Sequence, residues 1–214
     1  MFFVLSVLAC ILLACRAVWT GSPRLLFLPW NLFLAWVPYG LALLTRQLAA
    51  VIPPGRGRLL IPTGLWLLFL PNAPYILTDL IHLRWSPLSL ITIDMGIILL
   101  FAAIALALGL RSLAVMQRLV ETRISPAAGW TFVSVVLLLS GTGVWMGRVV
   151  RLNSWDVFTD PLAAARQVLA AVDTPKELLG ALAFTGAFTV ALFVLYFGPR
   201  HLVHERNRRD SSLI

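Results

Sequence analysis

Polar and apolar residues along this chain come in blocks rather than in alternation. Long runs nearly free of charge are separated by short stretches that hold most of the arginines, acids and prolines. A helix needs roughly 20 apolar residues to cross the hydrocarbon core of a bilayer. Six segments meet or approach that length: Phe2–Trp19, Leu25–Leu44, Leu59–Leu83, Pro87–Leu110, Ala127–Met146 and Leu178–Gly198. The pattern predicts an all-α membrane protein of about six transmembrane helices, forming one polytopic domain over 1–199 with a basic tail over 200–214. The first segment is the weakest, because Arg16 interrupts its end. Leu12-Leu13-Ala14-Cys15 faintly resembles a lipoprotein cleavage box, but no Lys or Arg precedes the apolar run and Leu13 fits its position poorly. It is read as a helix that stays.

Punctuation between the blocks predicts where helices start. Ser22-Pro23, Ser86-Pro87, Ser125-Pro126 and Thr174-Pro175 each put a hydroxyl cap before a proline at the first helical position, where its missing N–H is harmless. Thr174 and Glu177 add a capping box. Asp160-Pro161 opens a short amphipathic stretch to Val172, with Leu162, Val168, Leu169 and Val172 near one face. It is too short to span and reads as a helix lying in the interface, a soluble loop helix being the alternative. The third long segment carries its own interruption. Pro71 and Pro74 delete two helix donors and crowd the carbonyls four residues back, so the helix should kink or break there.

Composition agrees with the membrane reading. Hydrophobic residues make up 60% and charged residues 12% of 214, against about 45–50% and about 25% in soluble domains. Mean hydropathy is +0.91. So few charges cannot clothe a soluble surface, and disorder, coiled coils and disulfide scaffolds are excluded. The formal charge of +8 lies in clusters between apolar runs, which argues for insertion topology and against nucleic acid. With six spans, one side collects Arg46, Arg56, Arg58, Arg111, Arg118, Arg123, Arg200, Arg206, Arg208 and Arg209. The other collects Arg16, Arg24, Arg84, Arg148, Arg151, Arg166 and Lys176. The positive-inside rule then puts both termini in the cytoplasm. Cys10 and Cys15 lie five apart on different faces of one helix, so no internal disulfide is expected.

Depth arithmetic gathers the polar residues of the spans. At 1.5 Å per residue, Asn72, Asn31 and Asp94 fall about 9–10 Å below the outer edge of the core. Asp79, His82, Arg148, Arg151, Asn153 and Asp156 fall at or just outside the same interface, while the inner halves hold almost nothing ionisable. A carboxylate at the depth of Asp94 costs about 2–3 kcal/mol unless paired or protonated. Arg148 and Arg151, three apart on one helix face, are the expected partners, with the amides of Asn31 or Asn72 beside them. Either these ions form a structural clasp or the arginines present charge to an anionic headgroup or solute. Asp79 and His82, with Tyr75 one turn earlier, suit a proton relay or an interfacial histidine better than a metal; a zinc site is poorly supported. The polar-pocket candidates are therefore Asn31, Asn72, Tyr75, Asp79, His82, Asp94, Arg148, Arg151, Asn153 and Asp156. No catalytic residue and no cofactor is assigned. Trp19, Trp30, Trp85 and Trp155 read as interfacial anchors.

Three blocks carry a family resemblance: Asn31-Leu32-Phe33-Leu34-Ala35-Trp36, the stretch from Trp66 through Pro71-Asn72-Ala73-Pro74-Tyr75 to Asp79 and His82, and Gly147 through Asp156. Over about residues 25–198 the chain resembles the bacterial membrane family called domain of unknown function 1361. The resemblance implies a multi-pass bacterial inner-membrane protein and supplies no activity. Three function classes follow from the residues. The first is a binding or assembly protein that holds a lipid, small ligand or membrane partner in an outward-facing polar pocket. The second is a solute or ion transporter, suggested by the broken third helix but lacking an internal repeat. The third is an intramembrane enzyme on lipid-linked substrates, with Asp79, His82 or Asp94 as acid or base; the reading leans away from it.

Overall fold

The computed structural model describes residues 1–51 and 57–211, with side chains described through 198. Arg56 and the side chains of the expected tail at 200–214 lie outside that description. The described backbone is 86% helical, with no strand among the described residues. Among the described residues, six stretches are long and apolar enough to cross a membrane: α1 (Phe2–Thr20), α2 (Leu28–Val51), a composite third span (Gly57–Trp85), α5 (Ile91–Arg123), a composite fifth span (Pro126–Val150) and the Pro175–Gly198 part of α9 (Pro175–Ser211). The chain is a multi-pass helical membrane protein.

The capping signals work at three sites and mislead at two. Ser125 accepts from the Ala128 amide at 3.1 Å and opens α6 (Pro126–Trp145). Thr174 and Glu177 form the reciprocal box at the start of α9. Asp160 accepts from the Ala163 amide at 2.9 Å and opens α8 (Pro161–Ala170). Pro23 and Pro87 begin only single turns, closed by Leu26 N–H to Pro23 O and Leu90 N–H to Pro87 O. The helices themselves start at Leu28 and Ile91. At Ser86 the hydroxyl has a stronger claimant than a backbone amide. It donates to the Asp94 carboxylate at 2.7 Å.

The third span divides as its prolines require. α3 (Leu60–Phe69) gives way at Leu70-Pro71 to a single turn, α4 (Asn72–Tyr75), followed by a 3₁₀ helix over Ile76–Trp85. The backbone stays right-handed at Leu70 and Pro71, so the break changes the hydrogen-bond ladder more than the chain direction. The Ala73 amide bonds to the Leu70 carbonyl at 3.1 Å and no longer serves Phe69. The Asn72 side chain serves Phe69 instead, donating from Nδ2 at 2.9 Å. Ser154 Oγ donates to the Leu68 carbonyl at 3.3 Å. Carbonyls freed at membrane depth thus find protein donors, as they must where water is absent.

α5 is the central helix and packs against α1, α2, α4, the 3₁₀ helix and α6. Ile98, Phe101 and Leu108 are fully buried along it. In lipid, apolar burial does not itself drive helices together, so close approach at small residues does much of the holding. The broken turn sits on such residues. A Cβ on Gly109 of α5 would lie 2.6 Å from Ala73 Cβ, and one on Gly143 of α6 would lie 2.5 Å from Pro71 Cγ. α9 packs on α6. The 21–27, 76–90 and 151–174 stretches lie together at one end of the bundle, below called the pocket end. Trp19, Trp30, Trp85 and Trp155 are all at least one-third exposed there.

Candidate functional site

The 3₁₀ helix is the floor of the site. Its three-residue turn eclipses side chains at i and i+3, which sorts Ile76–Trp85 into three rows. Leu77, Leu80 and Leu83 pack against the core beside α5. Ile81 and Arg84 turn outward, with Arg84 3.7 Å over the Trp85 ring. Asp79 and His82 share the third row. Ten residues is long for a 3₁₀ helix. The apolar row held against α5 and the Arg148 bond to a carbonyl inside it account for its persistence.

Asp79 is 1% exposed. Its Oδ2 accepts from Asn31 Nδ2 of α2 at 2.9 Å. Its Oδ1 faces Arg148 Nη1 at 3.7 Å and His82 Nε2 at 3.9 Å, both beyond hydrogen-bond length. Arg148 Nη2 donates to the Thr78 carbonyl at 2.8 Å, and Nη1 reaches the Tyr75 hydroxyl at 3.4 Å. The His82 ring lies between Phe27 and Trp85, at 4.8 and 5.5 Å between centroids.

Arg148 reaches this floor because α6 ends abnormally. Met146–Val150 form a π turn, and Arg151 closes it in the left-handed region at φ 66°, ψ 32°. The amides of Arg151 and Leu152 both turn back to the Met146 carbonyl. The expected shared face for Arg148 and Arg151 therefore does not exist. Arg148 points into the site and Arg151 is exposed outside it. After the turn, Asn72 Nδ2 donates to Ser154 Oγ at 3.0 Å, tying this loop to the broken third span. Asp156 accepts from the Asn153 amide at 2.6 Å and so shapes the loop ahead of α7 (Asp156–Thr159).

A cavity of about 820 Å³ opens over this floor, within the roughly 300–1,000 Å³ of ordinary ligand pockets. Asn31, Asn72, Tyr75, Asp79, His82, Arg148 and Asn153 line it; Asp94, Arg151 and Asp156 do not. α8 covers it with Pro161, Ala164, Ala165, Val168 and Leu169, a spacing of i, i+3, i+4, i+7, i+8. Of the expected face of Leu162, Val168, Leu169 and Val172, Val168 and Leu169 line the cavity, while Leu162 is exposed and Ala164 and Ala165 face inward in its place.

Asp94 belongs to a second constellation, where the expected partners are replaced. Arg16 of α1 forks it, Nε to Oδ1 and Nη2 to Oδ2, both at 2.9 Å. Nη1 of Arg16 donates to the Ser22 carbonyl at 3.0 Å. Both side chains are almost completely buried. Because α5 starts at Ile91, Asp94 lies one turn inside its helix, as Arg16 does in α1. That match of depth was the available signal, obscured by reading Pro87 as the helix start.

The chain matches the family described as Protein of unknown function (DUF1361) over residues 30–194. It belongs to that family. The matched stretch runs from the first residues of the cavity wall in α2 to the middle of α9, and so includes the whole floor and the α8 cover. No curated protein and no solved structure matches the chain.

Proposed function

We propose that this family member is a ligand-binding protein of the bacterial inner membrane, with both termini cytoplasmic and its cavity opening on the outer side. The observation that carries the reading is the cavity's composition. A polar floor of buried Asp79, hydrogen-bonded to Asn31, with half-buried Arg148 bonded to the Thr78 carbonyl and His82 beside them, lies under apolar walls and an amphipathic cover. Ionisable groups at membrane depth are expensive, and those that persist there mark functional paths by default. Here Asp79 Oδ1 and Arg148 Nη1 stand 3.7 Å apart beside open volume.

The test is direct. Full-length protein purified in mild detergent should carry a molecule enriched over an unrelated membrane protein, detected by mass spectrometry of the extract. Ala165→Trp, which fills the cavity from its exposed cover, should lose most of it. No enriched molecule, or equal enrichment in the variant, defeats the reading.

A further inference from the structure

The cavity's rim and its charges together name a class of ligand. The most exposed lining residues are Trp30, Asn153, Trp155, Val157, Pro161, Ala165 and Leu169, all apolar but Asn153, while the side chains of His82 and Arg148 are 32% and 20% exposed below them. A site built for a dissolved solute would present a polar mouth to water. An apolar mouth at the end of a membrane bundle faces acyl chains and headgroups, so a ligand that enters it is itself part of the bilayer.

The floor supplies the second half. Besides His82, the ionisable lining residues that carry formal charge are one acid and one base, Asp79 and Arg148. Asp79 Oδ1 has no hydrogen-bonding partner within 3.5 Å among the described residues, and Arg148 Nη1 has only the long 3.4 Å contact to Tyr75. Both unfilled positions adjoin the cavity. A purely anionic headgroup placed on Arg148 would also meet the Asp79 carboxylate, since like charges at this separation repel strongly where water is excluded. A purely cationic one would meet the guanidinium. A headgroup carrying both signs satisfies both. A primary ammonium can donate to Asp79 Oδ1, whereas a quaternary one has no N–H to give. A phosphate can accept from Arg148, whose planar fork suits it.

Resting on the pocket reading above, we infer that the cavity takes a zwitterionic membrane lipid bearing a phosphate and a primary ammonium, drawn in across its largely apolar rim. The headgroup sits on Asp79 and Arg148, and a chain lies along the apolar face of α8.

The test is native mass spectrometry of the full chain in detergent, titrated with four probes: phosphatidylethanolamine, phosphatidylglycerol, a neutral diglucosyl diacylglycerol, and soluble glycerophosphoethanolamine. Phosphatidylethanolamine should bind at least tenfold tighter than either other lipid. The soluble headgroup should bind at least a hundredfold more weakly than the lipid. Asp79→Asn, which keeps the shape and removes the charge, should bring phosphatidylglycerol level with or ahead of phosphatidylethanolamine. Arg148→Gln should weaken phosphatidylethanolamine at least tenfold. Chain-brominated phosphatidylethanolamine should quench tryptophan fluorescence, and less so in Trp30→Phe. Equal or better binding of phosphatidylglycerol or the glycolipid by the wild-type chain overturns the zwitterion, and a soluble headgroup as tight as the lipid overturns the membrane source. Both results leave the pocket reading standing and need no variant to fold. No saturable binding of any probe, or binding indifferent to both substitutions, overturns the pocket reading as well.

Discussion

Arg16 and Asp94 show how much a single residue's surroundings decide. A buried pair of this kind adds little beyond what two packed apolar residues would, yet removing one partner strands the other. Arg16→Ala should therefore destabilise the protein by about 3–5 kcal/mol, read as a fall in the melting midpoint in detergent. Arg16→Met combined with Asp94→Leu should recover most of that loss. A single variant as stable as wild type would mean the fork is not formed. Arg151 offers the opposite sign. It is a non-glycine residue in the left-handed region, a conformation that costs about 1–2 kcal/mol and suits glycine. Arg151→Gly should raise the melting midpoint by a few degrees without changing ligand content. A clear drop would reveal a bond made by the Arg151 side chain.

At the scale of elements, the decisive feature is the seat of the broken third span. Ala73 and Pro71 press against Gly109 and Gly143, where added carbon has no room. Gly109→Ala faces the rigid backbone-bound methyl of Ala73 and should cost about 1–3 kcal/mol. Because α4 carries the 3₁₀ helix with it, the same substitution should also lower occupancy of the cavity. Unchanged stability and occupancy would show that the turn is free to shift. The 3₁₀ segment was not legible, because leucines at 77, 80 and 83 also share one face of an ordinary α-helix. The prolines announced the break, but they did not say that Asn72 and Ser154 would complete its ladder. Ser154 is eighty-odd residues away in the chain, and nothing in either local sequence names the other.

For the whole molecule, orientation and water access are the testable properties. From the ten-to-seven division of arginine and lysine, a phosphatase reporter fused after Ile214 should be inactive and a cytoplasmic fluorescent one bright. The reverse would place the cavity on the inner side. In a background lacking Cys10 and Cys15, Asn72→Cys should react with an impermeant thiol reagent added from outside, because Asn72 lines the open cavity. Asp94→Cys should resist it, since Asp94 is 1% exposed and roofed by Arg16 and Ser86. Equal labelling of the two would contradict the separation of the cavity from the Arg16–Asp94 fork.

The sequence by itself determined the solvent, the number of spans, three of the helix caps and the place of the break. These depend on hydropathy summed over about 20 neighbours, or on bonds reaching three or four residues, and both are local. It also set Asn31, Asn72 and Asp94 at one depth, with Asp79, His82 and Arg148 at or just outside the same interface, because rise per residue converts position in a span into height. Height leaves rotation about each helix axis open. Only tertiary structure decided which polar groups at that level face each other: Asn31 to Asp79, Arg148 to the 3₁₀ helix, Asp94 to Arg16. The π turn at the end of α6 and the left-handed Arg151 close it off in a way no local propensity demands. They rotate one arginine into the cavity and the other out of it, and so separate two residues that sequence spacing had paired.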